Sequence, residues 1–262
     1  MSRLPLTFAC GSLKLAGTLD TAPGKTGLLI VSGGNEIRSG AFSEQARLAS
    51  VIARAGFPVF RFDRRGVGDS EGENRGFRSS ARDIASAREA FCALAPDVER
   101  VVAYGNCDAA SALMLTGGEG FDQLILANPW TIEDAAKDEP SALPPTAVRE
   151  RYAQKLKDPA EVKRLLTGGV NLGKLARGLL QASKSSDTQP SSLADEMRDG
   201  LESFERVVSI LLAGADRTAQ IFEQNWPAED PRIARCEGAG HAFVEPEHRA
   251  WLERQILTAL RA

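Results

Sequence analysis

The sequence predicts an α/β fold with a mostly parallel sheet and helices on both of its faces. Short, nearly continuous apolar runs, such as residues 27–31 and 101–104, are typical of strands that are buried on both sides. Amphipathic helical segments alternate with these runs, which is the pattern of a parallel sheet. With 262 residues, the chain is long enough to bury a large hydrophobic core.

The first half of the chain contains most of the predicted sheet. Loose alternation of apolar residues over 4–19 predicts an edge hairpin that turns at residues 9–12. Gly56 is placed to end the first helix as its C-cap. In chain order we then expect a strand over 27–31, a helix over 43–56, a strand over 58–63, a helix over 79–94, a strand over 101–104, a helix over 109–115 and a strand over 121–129.

The alternation of strands and helices stops after residue 129. Charged helical stretches interrupted by proline and glycine occupy residues 130–206, and this segment predicts a helical cap over the carboxyl edge of the sheet. The regular pattern then resumes with a strand over 207–213, a helix over 218–225, a short strand over 231–236 and a helix over 248–260. The predicted core therefore comprises residues 1–129 and 207–262, with the cap at 130–206 inserted before a strand that leads to a candidate acid.

The segment Gly105-Asn106-Cys107-Asp108-Ala109 places a thiol at a sharp turn between a strand and a helix. It fits the nucleophile-elbow pattern G-x-S-x-G, with Cys in the nucleophile position and Ala109 in the last small position. Small neighbours let the strand and the helix pass closely at a strained turn. The helix N-terminus favours a thiolate there. The segment predicts Cys107 as a nucleophile, and a buried structural thiol is the alternative.

Two residues further along the chain can serve the thiol as acid and base. Asp216 follows a predicted buried strand and His241 lies in a glycine-flanked loop, so both belong at the carboxyl edge of the sheet beside the elbow. His241 would accept the thiol proton and Asp216 would hold the imidazole tautomer, in the chain order of α/β-hydrolases. The alternative for each residue is a helix cap. Asp230 is a weaker candidate for the acid, and His248 is expected at the surface.

The glycine pair after the first buried strand predicts an oxyanion-binding loop. An oxyanion hole needs two backbone N–H groups. We expect one from Asp108 and the other from the Gly33-Gly34-Asn35 loop, with Asn35 favoured and Gly34 as the neighbouring choice. The carboxylate of Asp108 favours a helix N-terminus but opposes a thiolate at Cys107, and the sequence does not account for it.

Arg38 and Trp130 are the candidate substrate-binding residues. Arg38 lies near the glycine pair, where it would pair with a substrate carboxylate or with Asp108, or remain at the surface. Trp130 begins the predicted cap. The glycine-rich loop after the second buried strand is expected to pack beneath the site, with Asp63 and Arg64 as a local ion pair.

The net charge, the length of the apolar runs and the cysteine pattern indicate which partners and which cellular compartment to expect. The 32 Lys and Arg against 35 Asp and Glu give a net charge of −3, which favours neither nucleic acid nor an anionic membrane as partner. The apolar runs are too short to span a bilayer and the N-terminal residues lack a signal-peptide core, so we expect no stable membrane insertion and a cytoplasmic protein. The four cysteines fit neither a zinc pattern nor a disulfide framework. We therefore expect no metal and no cofactor. The predicted thiol, acid and base point to a small-molecule acyl substrate, and the oligomeric state stays open.

The chain resembles α/β-hydrolases of the serine aminopeptidase and esterase-like group along essentially its whole length. Residues Phe62–Gly72 are similar to that group's loop after the second buried strand. More narrowly, Val31–Gly40 together with Gly105–Ser111 resembles the exosortase A system-associated hydrolase family, which has a Cys nucleophile. The resemblance implies an α/β-hydrolase fold and a cytoplasmic bacterial hydrolase. Dienelactone hydrolases also carry a Cys elbow, but the predicted cap and the loop after Phe62 fit them less well.

These features predict a hydrolase that cleaves a carboxylic ester or thioester through a Cys-His-Asp triad and a covalent acyl-enzyme. A thiolate suits activated esters and thioesters better than amides, whose leaving group must be protonated. Two alternatives stay open: acyl transfer to a saccharide or lipid acceptor with the same triad, and a non-catalytic hydrolase-like binding protein. An engineered Cys in place of a catalytic Ser is also compatible with the sequence.

Overall fold

A computed structural model describes residues 2–132 and 192–262 of the chain. Within these residues eight strands form one sheet. They are β1 (Arg3–Cys10), β2 (Leu13–Asp20), β3 (Thr26–Val31), β4 (Val59–Phe62), β5 (Arg100–Asn106), β6 (Gln123–Ala127), β7 (Val207–Ala213) and β8 (Ile233–Cys236). The helices of the described residues are α1 (Glu44–Arg54), α2 (Ala81–Leu94), α3 (Asp108–Leu115), α4 (Ser192–Glu202), α5 (Arg217–Gln224) and α6 (Pro246–Arg261).

The sheet has the order β1-β2-β4-β3-β5-β6-β7-β8. β1 and β2 form the predicted edge hairpin, and β2 pairs antiparallel with β4. The remaining neighbours, from β4 and β3 through to β8, are parallel. The predicted mostly parallel sheet is therefore confirmed, and the carboxyl ends of its parallel strands share one edge.

Two hydrophobic clusters cover the two faces of this sheet. Helices α1 and α6 pack on one face, where Ile52 and Ile256 are fully buried. Helices α2, α3, α4 and α5 contribute to the cluster on the other face, with Phe91 and Phe222 among the fully buried side chains. Apolar faces on both sides explain why the central strands are nearly continuous apolar runs rather than alternating ones.

The described residues include only the two ends of the predicted cap. Residues 133–191, and with them the predicted helical stretches 149–166 and 171–183, lie outside the described residues. At the far end, α4 buries Leu193, Met197 and Leu201 in the same cluster as α3. No helix of the described ranges combines the length and apolar character that crossing a membrane requires.

Candidate active site

Cys107 is the single residue between β5, which ends at Asn106, and α3, which begins at Asp108. Its φ of 63° and ψ of −130° lie in a region that non-glycine residues rarely adopt. The backbone amide of Cys107 donates to the carbonyl of Ala127 in β6 at 3.0 Å, which ties the strained residue to the sheet. The thiol is partly exposed at the N-terminus of α3.

Gly105 allows the strand and the helix to meet at this turn. A Cβ atom at Gly105 would lie 2.8 Å from the backbone of Ala109 and Ala110, closer than real Cβ atoms come. Ala109 is fully buried against this contact. The small residues on either side of the thiol thus have a steric cause in the fold.

His241 lies between the thiol and the carboxylate of Asp216. Its Nδ1 atom is 2.9 Å from Asp216 Oδ2. Burial lowers the pKa of His241, but the interactions with Asp216 and Cys107 outweigh it, and the pKa rises to about 10. Side chains from three distant parts of the chain therefore interact at His241.

The Asp216 carboxylate also caps a helix. Its Oδ2 atom accepts from the amide of Ala219 at 3.1 Å, so Asp216 is the N-cap of α5 while it faces His241. The sequence left two roles open for Asp216, an acid for the histidine and a helix cap. One carboxylate orientation allows both. Its side chain is 9% exposed, and the cap bond fixes the direction of the carboxylate.

The other acid and the other histidine have their own partners. Asp230 binds Arg232 and accepts from the Trp226 indole at 2.8 Å. Burial raises the pKa of Asp230, but the hydrogen bonds from Arg232 and Trp226 outweigh it and the pKa falls to about 2. His248 pairs with Glu245 at 3.1 Å near the start of α6, and its side chain is 15% exposed, so it is more covered than the sequence predicted.

The glycine pair after β3 lies against the elbow. A Cβ atom at Gly33 would be 2.5 Å from the Asn106 carbonyl oxygen and 3.4 Å from Cys107 Cβ, so only glycine fits there. The Gly34 amide donates to Asp108 Oδ1 at 2.6 Å and is therefore already used. The N–H groups of Asn35 and Asp108 have no acceptor among the described residues.

Arg64 is a buried member of this site that the sequence did not indicate. Its Nη2 atom lies 3.3 Å from Asp108 Oδ2 and also donates to the Gly34 carbonyl, and its side chain is 5% exposed. The expected local pair of Asp63 with Arg64 is wrong, because Asp63 instead binds Arg38. Residues 44 positions apart meet at Asp108, and no local sequence pattern signals such a contact.

Arg38 and Trp130 lie at the same edge of the sheet with well-defined partners. The Arg38 guanidinium contacts Asp63, Asp69 at 3.0 Å and the Thr18 hydroxyl at 3.1 Å, so Arg64 rather than Arg38 neutralises Asp108. The backbone of Trp130 exchanges two hydrogen bonds with the Ser111 hydroxyl of α3, at 2.7 and 2.8 Å. These bonds hold the Trp130 backbone to the helix that follows Cys107.

The arrangement supplies the parts of covalent acyl chemistry. It contains a thiol at a strained turn, an imidazole oriented by a carboxylate, and two N–H groups that the described residues leave open beside the thiol. Across residues 2–132 and 192–262, no group of three or more His, Cys, Asp or Glu side chains is arranged to hold a metal ion.

Comparison with known proteins places this geometry in a wider context. The sequence matches the model of the alpha/beta hydrolase family over residues 28–255. None of the curated proteins matches it. Among solved structures, DcsB in complex with its substrate analogue is similar at 15% identity and a TM-score of 0.66, over 99% of this chain and 98% of that one.

Two further solved structures are similar at comparable levels. The Pyrococcus furiosus esterase Pf2001 has 13% identity and a TM-score of 0.62, over 99% of this chain and 90% of that one. Est1E from Butyrivibrio proteoclasticus, solved with ferulic acid, has 13% identity and a TM-score of 0.59, over 96% of each chain. At such identities the likeness shows a common fold, and the predicted α/β-hydrolase fold is confirmed.

Proposed function

The chain belongs to the alpha/beta hydrolase family, and from this premise we propose that it cleaves a carboxylic ester or thioester through a Cys107–His241–Asp216 triad and an acyl-enzyme. The observation that carries the proposal is the convergence of these three side chains, with Cys107 at φ 63°, His241 2.9 Å from Asp216 and the pKa of His241 raised by both residues. A strained residue at a strand-to-helix turn with a base in contact is a recurrent form of activated nucleophile.

In acylation the Cys107 sulfur attacks the carbonyl carbon of the substrate. A C–S bond forms, and the carbonyl π electrons move to the oxygen. Asp216 and Cys107 raise the pKa of His241 to about 10, which makes the imidazole a base that can accept the thiol proton during the attack. When the tetrahedral intermediate collapses, the bond to the leaving group breaks and His241 delivers this proton to it.

Deacylation uses the same imidazole in the opposite direction. Acylation removes the charge and the proton of the Cys107 sulfur. The interactions with Cys107 then no longer raise the pKa of His241. His241 then accepts a proton from water as the water oxygen attacks the acyl carbon. The C–S bond then breaks, the carboxylic acid is released, and Cys107 is restored as a thiolate beside the protonated His241.

The oxyanion is proposed to bind the amides of Asp108 and Asn35. The first belongs to the residue after the nucleophile, and the second lies in the loop that Gly33 holds against Cys107. Both N–H groups lack an acceptor among the described residues, whereas the Gly34 N–H is bound to Asp108. Such fixed donors stabilise the negative charge that develops on the oxygen.

Several observations support an ester or thioester as the substrate class and a reducing compartment. The structural neighbour from Pyrococcus furiosus is named an esterase, Est1E was solved with ferulic acid, and all four cysteines are free. The segments around Gly33 and Cys107 support the narrower similarity to the exosortase A system-associated hydrolases, with a bacterial cytoplasm as the proposed location. The proposed partner is a small acyl compound, with no cofactor or metal in the mechanism.

Pre-steady-state hydrolysis of p-nitrophenyl acetate tests the proposal. Wild-type protein is expected to give a p-nitrophenol burst, and intact-mass spectrometry to show one acetyl group on Cys107. Cys107→Ala and His241→Ala should lose the burst, whereas Cys92→Ala is the matched control, because Cys92 is also a free, partly exposed thiol. A wild-type protein with neither burst nor acetylation would contradict catalysis and leave a binding protein.

Added alcohol acceptors separate hydrolysis from acyl transfer. If water is the acceptor, acetate is the product at all acceptor concentrations. Formation of the new ester at the expense of acetate would instead show the acyltransferase alternative with the same triad.

A further inference from the structure

Two asparagine side chains converge on the backbone carbonyl of His241. Asn106, which directly precedes the nucleophile, donates its Nδ2–H to this oxygen at 3.2 Å. Asn128, which follows β6, donates to the same oxygen at 3.1 Å. The two bonds use both lone pairs of the carbonyl, so the backbone of His241 is held from two sides.

The Asn128 side chain connects the three chain segments that carry the triad. Its Nδ2 group also donates to Asn106 Oδ1 at 3.0 Å, and its Oδ1 atom accepts from the Ala213 amide at 2.8 Å. Ala213 ends β7, just before Asp216. A single amide thus reaches the elbow, the strand before the acid and the histidine loop.

The orientation of both amides follows from their surroundings. The Ala213 N–H can only donate and the His241 carbonyl can only accept, so Oδ1 of Asn128 must face Ala213 and its Nδ2 must face His241. Asn106 then has its Nδ2 on His241 and its Oδ1 on Asn128. All side-chain donors and the acceptor of Asn128 are used, as a fully buried amide requires.

The backbone of Asn128 is itself in an uncommon conformation. Its φ of 43° lies in the left-handed region, and its amide donates to the Leu211 carbonyl at 2.9 Å. A buried asparagine with this φ keeps its side chain aimed at the histidine loop. The strained residue is thus the one whose side chain links β5, β7 and the His241 loop.

Packing and hydrogen bonds together hold the segment around His241. Phe243, two residues after His241, is buried and stacks on Trp251 with ring centroids 6.0 Å apart. His241 itself is less covered, with 39% of its side chain exposed. The bonds from Asn106 and Asn128 to its carbonyl fix the backbone at this less covered position.

We infer that Asn106 and Asn128 are positioning residues, which hold His241 in the geometry that lets it contact Cys107 and Asp216 together. The inference rests on the proposed function, since it assigns a purpose to the triad. Neither asparagine touches the reacting atoms; each acts through the His241 backbone. A displacement of about 1 Å in a catalytic group costs on the order of 100-fold in rate, so small shifts of this loop matter.

Asn106→Ala tests the inference, since it removes one donor to the His241 carbonyl and the acceptor of one Asn128 N–H, while the bond from Asn128 to His241 stays in place. We expect kcat for p-nitrophenyl acetate to fall by about 10- to 100-fold with KM changed less than about twofold. The chain has only two histidines, so 15N-histidine NMR can follow His241 directly. Its titration midpoint should move to lower pH, because the contacts with Asp216 and Cys107 loosen.

Gln123→Ala is the matched control. Gln123 is a buried amide at the opposite end of β6, where it accepts from Arg100 at 2.6 Å. It should lower stability without changing kcat or the His241 midpoint. If Asn106→Ala fails to fold, Asn106→Ser provides the same comparison with a smaller polar loss.

An unchanged His241 midpoint in the folded Asn106 variant would overturn the inference, whatever happens to the rate. If wild-type protein shows no burst, the proposed function fails, and the NMR comparison still decides whether the asparagines position His241. The two failures are therefore distinguishable.

Discussion

The carboxylate of Asp108 accepts a hydrogen bond of 2.6 Å from the backbone amide of Gly34. The residue after Cys107 thus holds the glycine loop that lies against the elbow. Arg64 completes the contact, since its guanidinium lies 3.3 Å from the same carboxylate and also binds the Gly34 carbonyl. The negative charge beside Cys107 is therefore partnered, which explains how a carboxylate can stand next to a proposed thiolate.

Asp108→Asn should weaken this connection. It keeps the shape of the side chain but leaves the buried guanidinium of Arg64 without a charged partner, so we expect a loss of about 1 to 3 kcal/mol in the free energy of unfolding. The loop with the Asn35 amide should loosen, and the acylation rate should fall by about tenfold. Urea unfolding and burst kinetics measure the two effects.

Glu99→Gln, which breaks the exposed pair with Lys25, is the control for Asp108→Asn and should change neither the stability nor the acylation rate. An acylation rate equal to that of wild type would refute the positioning of the loop by Asp108.

Gly33→Ala should disrupt the oxyanion loop by steric contact. The new Cβ would lie 2.5 Å from the Asn106 carbonyl oxygen, so the loop must move away from Cys107. We expect a fall of about 100-fold in the acylation rate. Gly56→Ala is the control, because Gly56 has a φ of 103° with open space around it; it should cost about 1 to 2 kcal/mol and leave the rate unchanged. Similar rates for the two variants would contradict the proposed contact.

Replacement of Asp216 separates its two roles. The Oδ2 atom of Asp216 contacts both the Ala219 amide and His241 Nδ1, so in Asp216→Asn the amide oxygen in this position can keep both contacts. The negative charge that helps to raise the pKa of His241 is lost, and the imidazole becomes a weaker base. We expect stability near that of wild type and a rate lower by about 10²- to 10⁴-fold. Asp216→Ala should lose the rate and, in addition, about 1 kcal/mol of stability. Asp230→Asn is the control that should keep the rate. An Asp216→Asn enzyme with the wild-type rate would show that the charge of Asp216 does not assist His241.

The stability of the protein should depend on pH through His241. Its folded pKa of about 10 lies above the ordinary value of 6.5, so the protonated ring stabilises the folded state. This contribution is fully present below pH 6.5 and is lost as the pH rises through 10. Urea unfolding of wild type and His241→Gln at several pH values checks it, since their difference in free energy should shrink over this window. A difference that stays constant or grows would contradict the raised pKa.

Local patterns were sufficient for most elements of the fold and for placing Cys107, Asp216 and His241 at one edge of the sheet. The elbow is visible because a small-residue turn between a buried strand and a helix leaves a contiguous signature around Cys107. Asp216 and His241 follow from their places after buried strands. Helix ends were less certain: α5 begins one residue earlier than expected because Asp216 caps it. The narrower family and the nature of the acyl group stay predictions.

Contacts between distant segments were not accessible to the same reasoning. Arg64 reaches Asp108 because β4 and β5 lie on either side of β3, and this neighbourhood depends on strand order. Asn128 gives no local sign of its bond to His241, since 113 positions separate them. Such pairs have no spacing rule, because any pair of loops can meet once the sheet is assembled.

The sequence by itself determined the class of fold, the thiol at the turn and the supply of one acid and one base behind it. It did so because period, small residues and strand ends are local properties of the chain. Only the tertiary structure decided that Arg64 neutralises Asp108, that Gly34 uses its amide for that carboxylate and that two asparagines hold His241. These are through-space hydrogen bonds and ion pairs, and their partners become neighbours only when parallel strands bring their carboxyl ends to one edge.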